Sequence, residues 1–321
     1  MNPVSKLQAI MDGGGFAVTS ELGPPAGTDV AIIKKKAAFL KETVDAVNLT
    51  DNQTAIVRMS SIAAARLLVE MGIEPVIQMV CRDRNRIAMQ SDLMGAYALG
   101  IRNLLCLTGD HQIFGNHPGA RNVFDLDSIQ AIQMVAMMRD TQKVLAGDPI
   151  EGGFSMFVGG AANPFADPFE FRVLRLAKKA AAGARFVQTQ CIYNMPKFRE
   201  FMKMTVDQGL DKKVHIMAGI TPLKSPGMAK YMRDKVAGID VPDALIKRME
   251  ATPKEARAKE GIRIAQEMIA EIRQIPGVHG IHLMAIEWEH KVPEILAGTG
   301  LLPRPAITLP APDSGPTPPA A

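Results

Sequence analysis

Aromatic residues are scarce: three Tyr, one Trp and twelve Phe make up 5% of a 321-residue chain. Cysteine is scarcer still, with only Cys81, Cys106 and Cys191. Three scattered thiols exclude a disulfide framework, and no pair has the close spacing of a zinc motif. They read as small buried residues, and no metal is expected. No run of 18 or more apolar residues is present, and the N-terminus lacks a signal-peptide core. The expectation is a cytoplasmic chain with no membrane segment. Charge of one sign is not in excess either. Lys+Arg 37 against Asp+Glu 33 gives +4, too even and dispersed to argue for nucleic acid. The Gly-rich fingerprint of a dinucleotide-binding sheet is missing where it would be needed.

What is there is a regular alternation. Short apolar runs at 16–20, 46–50, 75–80, 103–107, 154–158, 186–189, 214–218 and 280–284 read as strands. Between them lie amphipathic segments with helix punctuation. Thr28 or Asp29 caps one with Val30, Ile33, Ala37, Leu40 and Val44 on one face. Asp127 or Ser128 opens another, and Ser225-Pro226 is a cap followed by proline at the first helical position. Thr252-Pro253-Lys254-Glu255 has the spacing of a capping box opening a long helix. Strands apolar on both faces and alternating with helices imply a parallel sheet under helices. Eight such units in this length predict a single (β/α)8 TIM barrel over 1–305. The Pro/Ala-rich stretch 306–321 cannot bury a core and is expected to be a disordered tail.

In such a barrel, active sites form at the C-terminal strand ends. There stand Glu21, Thr50, Gln78, Thr108-Gly109-Asp110, the segment Gly159 to Asn163, and Gln190. Two carboxylates, Glu21 and Asp110, and the amide of Gln190 are expected to converge on one rim. One carboxyl among apolar walls can act as a general acid while a second stays ionised. Gly159-Gly160 would let a flat or phosphorylated ligand approach the backbone, or would serve packing in a tight turn. The long loop after the fourth strand carries Phe114, Val123 and Phe124 as expected anchors.

Five short pieces in this order resemble the methylenetetrahydrofolate reductase family. They are Ser20-Glu21-x-x-Pro24-Pro25, Val47-Asn48-Leu49-Thr50, Leu107-Thr108-Gly109-Asp110, Ala182-Gly183-Ala184-x-Phe186-x-x-Thr189-Gln190 and Gly219-Ile220-x-Pro222. The resemblance spans residues 14 to 300. It implies a barrel, often oligomeric, that carries FAD and reduces methylenetetrahydrofolate. Glu21 would then be the general acid that opens the five-membered ring. Asp110 would favour the developing cation and touch both substrate and cofactor, and Gln190 would bind the pterin edge. Thr50, Gln78, Thr108, Gly109, Asp110, Gly159, Gly160, Asn163 and Lys179 would hold FAD.

The chain also departs from the pattern. Leu22-Gly23 replaces two aromatics, Thr108 an arginine, Gln78 and Asn163 histidines, Gly159 a tyrosine and Pro226 an aromatic. The loop after Gly109 and the Ala285 to Glu289 stretch are more like reductases of anaerobic one-carbon pathways. Some of these work with a partner subunit that delivers electrons. Two rival readings remain, a pterin-binding methyltransferase barrel with cysteine-held zinc and a non-catalytic folate- or flavin-binding subunit.

Overall fold

The computed structural model describes residues 2–309. Its strands are β1 (Ala17–Leu22), β2 (Ala46–Leu49), β3 (Pro75–Val80) and β4 (Asn103–Leu107). They continue as β5 (Phe157–Ala162), β6 (Phe186–Cys191), β7 (His215–Ile220) and β8 (Gly280–Leu283). All pair in parallel and in sequence order, and β8 returns to β1 with Ala17 opposite Gly280, closing the barrel. The helices are α1 (Lys6–Asp12), α2 (Val30–Ala38), α3 (Ser61–Glu70), α4 (Arg86–Ala98) and α5 (Ser128–Thr141). After them come α6 (Phe171–Ala181), α7 (Met195–Asp207), α8 (Pro226–Lys235), α9 (Asp243–Ala251), α10 (Arg257–Ile272) and α11 (Val292–Ala297). This is the predicted (β/α)8 barrel. Among the described residues, no helix is long and apolar enough to cross a membrane.

Side chains alternate along a strand, so every second residue points into the barrel. The lowest interior layer is apolar: Ala17, Ala46, Val76, Leu105, Phe157, Phe186 and Met217. Leu7, Ile10 and Met11 of α1 pack against it and close the bottom. Helix α1 has only seven residues, too few to show a period, and was not anticipated. Ile307, expected in the tail, packs against the same cluster. Residues 310–321 of that tail lie outside the described residues.

Four further expectations are corrected. Strand β5 starts three residues late and takes in Gly159 and Gly160, which were read as a loop. The Phe157 and Phe186 rings stack at 4.9 Å, and a Cβ on Gly159 would sit 2.6 Å from Phe186. A Cβ on Gly160 would meet Ile132 at 2.9 Å. These glycines therefore make room for neighbouring side chains, which is the packing role rather than the ligand-approach role. The capping box at Thr252 does not form: its hydroxyl donates to the Arg248 carbonyl and finishes α9, and α10 begins without a side-chain cap. Val30 lies on the outer side of α2. The loop anchors are exposed, Phe114 by 70%, Val123 by 43% and Phe124 by 39%. Backbone bonds hold that loop instead, from Val123 N to the Arg82 carbonyl (2.8 Å) and from Phe124 N to the Cys81 carbonyl (3.2 Å). Gly115 presses so closely on Ala55 that any Cβ would collide with its carbonyl.

Candidate active site

Above the apolar layer the barrel interior turns polar. Thr19 and Glu21 of β1, Asn48 of β2, Gln78 of β3, Gln188 and Gln190 of β6 and His282 of β8 stand at strand positions two apart or in register. Gln78 Nε2 donates to Glu21 Oε2 at 3.2 Å. Asn48 and Gln188 bond through both ends of their amides, at 2.6 and 3.1 Å. A cavity of about 660 Å3 opens over this layer. Glu21, Gln78, Gln188, Gln190 and His282 form its floor, and α6 and α8 its flanks.

Of the residues singled out from sequence, Glu21, Gln78, Thr108, Asn163, Lys179 and Gln190 share this wall. Thr50 is buried just past the end of β2 and is not part of this wall, and its hydroxyl oxygen has no hydrogen-bond partner. Asn163 caps its own turn by accepting from the Phe165 and Ala166 amides at 3.2 Å. Gly109, Gly159 and Gly160 are not part of the wall, and neither is Asp110. The Asp110 side chain is exposed, while its carbonyl accepts from Arg82 Nη1 at 3.0 Å. The expected convergence of two carboxylates therefore reduces to one carboxylate among amides.

Lys179 is the most unusual cation. It is almost fully buried on α6, and Nζ donates to the Ala161 carbonyl at 2.5 Å. Burial pushes the amine down to about 8, helped by the like charge of Arg175. Arg172 and Arg175 line the same flank, seven and four residues before Lys179 on one helical face. Ser128, the first residue of α5, completes that flank.

Sequence reasoning missed His282, Gln188, Arg172 and Arg175. The period of two would have found the first pair, because each stands inward of a strand end. The helical period would have linked both arginines to Lys179. The cysteines are buried free thiols. Burial pushes Cys81 up to about 12 and Cys191 up to about 11. Among the described residues, no group of three His, Cys, Asp or Glu could hold a metal ion.

A family profile described as methylenetetrahydrofolate reductase matches residues 6–300. The chain is 26% identical over 251 residues to a probable methylenetetrahydrofolate reductase (NADPH) of Caenorhabditis elegans, covering 76% of this chain and 35% of that protein. It is 28% identical over 255 residues to methylenetetrahydrofolate reductase 2 of Schizosaccharomyces pombe, covering 75% and 38% respectively. The chain thus spans little more than a third of the length of these curated relatives. Among solved structures, a protein of Clostridium thermocellum described as binding two copies of 5-methyl-5,6,7,8-tetrahydrofolic acid shares the barrel fold. That match has a TM-score of 0.64 at 14% identity, over 91% of this chain and 97% of that one.

Proposed function

The chain belongs to the methylenetetrahydrofolate reductase family, and from that membership and the carboxyl-bearing cavity we propose that it reduces 5,10-methylenetetrahydrofolate to 5-methyltetrahydrofolate with a bound flavin. The observation that carries this reading is Glu21 on the cavity floor. Gln78 holds its Oε2, and Oε1 has no protein partner among the described residues. A carboxyl so placed holds a proton at Oε1 and passes it to the bridging nitrogen as the five-membered ring opens. Gln190 binds the pterin edge beside it. Asp110, out on the rim loop, contributes its charge in favour of the iminium at longer range. The methyltetrahydrofolate bound by the Clostridium thermocellum protein supports a folate as the ligand.

The chain's residues fit FAD best at its charged half. Arg172, Arg175 and Lys179 suit a diphosphate, because clustered cations favour an anion. Thr50, whose buried hydroxyl has no partner, adds an unspent polar atom just past the end of β2, and Gln78, Thr108 and Asn163 on the wall with Gly109 beside it complete the set. The bound flavin would supply the hydride, and the protein supplies position, charge and the proton. Pro226, the first residue of α8, offers no aromatic face to a nicotinamide, which supports electron delivery by a partner subunit. Tyr231 is the aromatic that the wall does contain.

The test is anaerobic. The purified chain, supplied with FAD and reduced viologen, should convert methylenetetrahydrofolate to the 5-methyl product, and the folate should reoxidise the bleached flavin. No flavin binding and no methyl product under these conditions would overturn the proposal.

Lys179 gives a separate prediction. A charged hydrogen bond to phosphate contributes about 1.5–3 kcal/mol, so Lys179→Met should weaken FAD binding about tenfold or more. An amine with a pKa of about 8 is charged below that pH and neutral above it. Affinity of the native chain should therefore fall as pH rises through about 8, and the variant's should not. Fluorescence titration of FAD across that range measures both. Parallel pH curves for the two proteins would remove Lys179 from the cofactor site.

A further inference from the structure

His282 is buried on the cavity floor, and its ring is held from both sides. Nδ1 lies 2.9 Å from Thr19 Oγ1. Nε2 lies 3.8 Å from Glu21 Oε2, the same oxygen that accepts from Gln78. A histidine this deep can present either nitrogen as donor, and its partners decide which.

Thr19 Oγ1 accepts from Gln188 Nε2 at 3.2 Å. The Gln188 amide is itself fixed by its reciprocal pairing with Asn48, at 2.6 and 3.1 Å. Among the described residues the Thr19 hydroxyl proton has no other side-chain acceptor in reach than His282 Nδ1, so we assign the hydroxyl as donor to Nδ1. Neutral His282 then carries its proton on Nε2, on the side of Glu21. At 3.8 Å the contact is longer than a formed hydrogen bond, as is usual for catalytic groups before substrate arrives.

We infer that His282 is the positioning residue for Glu21: through the Gln188–Thr19 relay it offers Nε2–H to Oε2 and, together with Gln78, leaves Oε1 to carry the proton into the cavity. Two donors on one carboxyl oxygen bias the acidic proton onto the other. They also fix the rotamer that aims it. The groups around the pair, Thr19, Asn48, Gln78 and Gln188, carry no charge, and burial keeps the Cys191 thiol protonated, so its geometry decides the role. This inference rests on the reading of Glu21 as the acid, and it assigns a role to a residue that reading leaves out.

The experiment compares His282→Leu, His282→Gln and Thr19→Val with native protein in the folate half-reaction. His282→Leu should lower kcat about a hundredfold, the scale of a misplaced reacting group, with KM changed by no more than about twofold. His282→Gln keeps an N–H in reach of Oε2 and should restore most of the rate. Nitrogen-15 NMR of the native protein should show the Nε2–H tautomer, and Thr19→Val should shift it toward a mixture while lowering kcat. This spectrum needs no substitution at His282, so it decides the question even where the leucine variant fails to fold. A native Nδ1–H tautomer, or full activity in His282→Leu, would overturn the inference. Glu21→Gln run alongside separates the two layers. If that variant is dead while His282→Leu is fully active, the positioning role fails and the acid stands; if it turns over normally, the acid reading itself fails.

Discussion

Glu21→Gln is expected to retain FAD and folate binding and to lose methylene reduction by a factor on the order of 10²–10⁴. The glutamine side chain has the volume of the glutamate and can still accept from Gln78 through its carbonyl oxygen. What it lacks is a transferable proton. Gln78, Gln188 and Gln190 on the cavity floor are amides and the Cys191 thiol is pushed up to about 11 by burial, which leaves His282 as the other proton-bearing group there. Reduction of the flavin by its donor involves no proton from Glu21 and should run at the native rate. Stopped-flow measurement of the two half-reactions separates these effects. A variant whose reduced flavin is reoxidised by methylenetetrahydrofolate at near native speed would take Glu21 out of the reaction.

The barrel was legible because its strands are buried on both faces. Runs such as Val76 to Val80, interrupted by Gln78 alone, and Leu104 to Leu107 are apolar, and each is punctuated by Gly, Pro or a polar turn. Strand β5 was misplaced because Gly159-Gly160-Ala161-Ala162 has the composition of a turn. Only the Phe186 ring, 27 residues away in sequence, explains why glycine must stand inside a strand there. Helix α1 escaped notice for a similar reason, since its apolar residues make sense only as a plug under the barrel. In the site, Glu21, Gln78 and Gln190 could be read from the rule that strand ends carry chemistry. Lys179 could be named by resemblance, but its burial could not be read, because a Lys-Lys pair on a helix normally faces water. Asp110 shows the opposite failure. A Thr-Gly-Asp turn at the head of the longest loop is conspicuous in sequence, yet the chain uses the Asp110 carbonyl to receive Arg82 and leaves the carboxylate outside the cavity wall.

Arg304→Ala is expected to destabilise the fold by about 3 kcal/mol, although Arg304 lies far from the cavity and beyond the matched family region. Its guanidinium reaches under the barrel to Asp45, with Nη2 to Oδ2 at 2.5 Å and Nε to Oδ1 at 3.1 Å. It also donates to the Phe16 carbonyl at 2.8 Å and to the Leu301 carbonyl at 2.9 Å. Asp45 is fully buried as a side chain, Arg304 is 7% exposed, and Asp45 also receives the Val18 amide at 2.8 Å. One bidentate pair thus ties the last described segment to the starts of β1 and β2. Removing the arginine leaves a buried carboxylate short of a counter-charge, which typically costs about 3–5 kcal/mol. The lower end applies because Lys6 Nζ stands 3.8 Å from the same carboxylate. Urea denaturation should show the loss as a lower midpoint with an unchanged slope. The double substitution Asp45→Asn with Arg304→Met removes both charges and should recover a large part of the loss, since the cost lies in the stranded charge more than in the missing bond. An Arg304→Ala midpoint equal to the native one would show that this segment docks without holding the barrel closed.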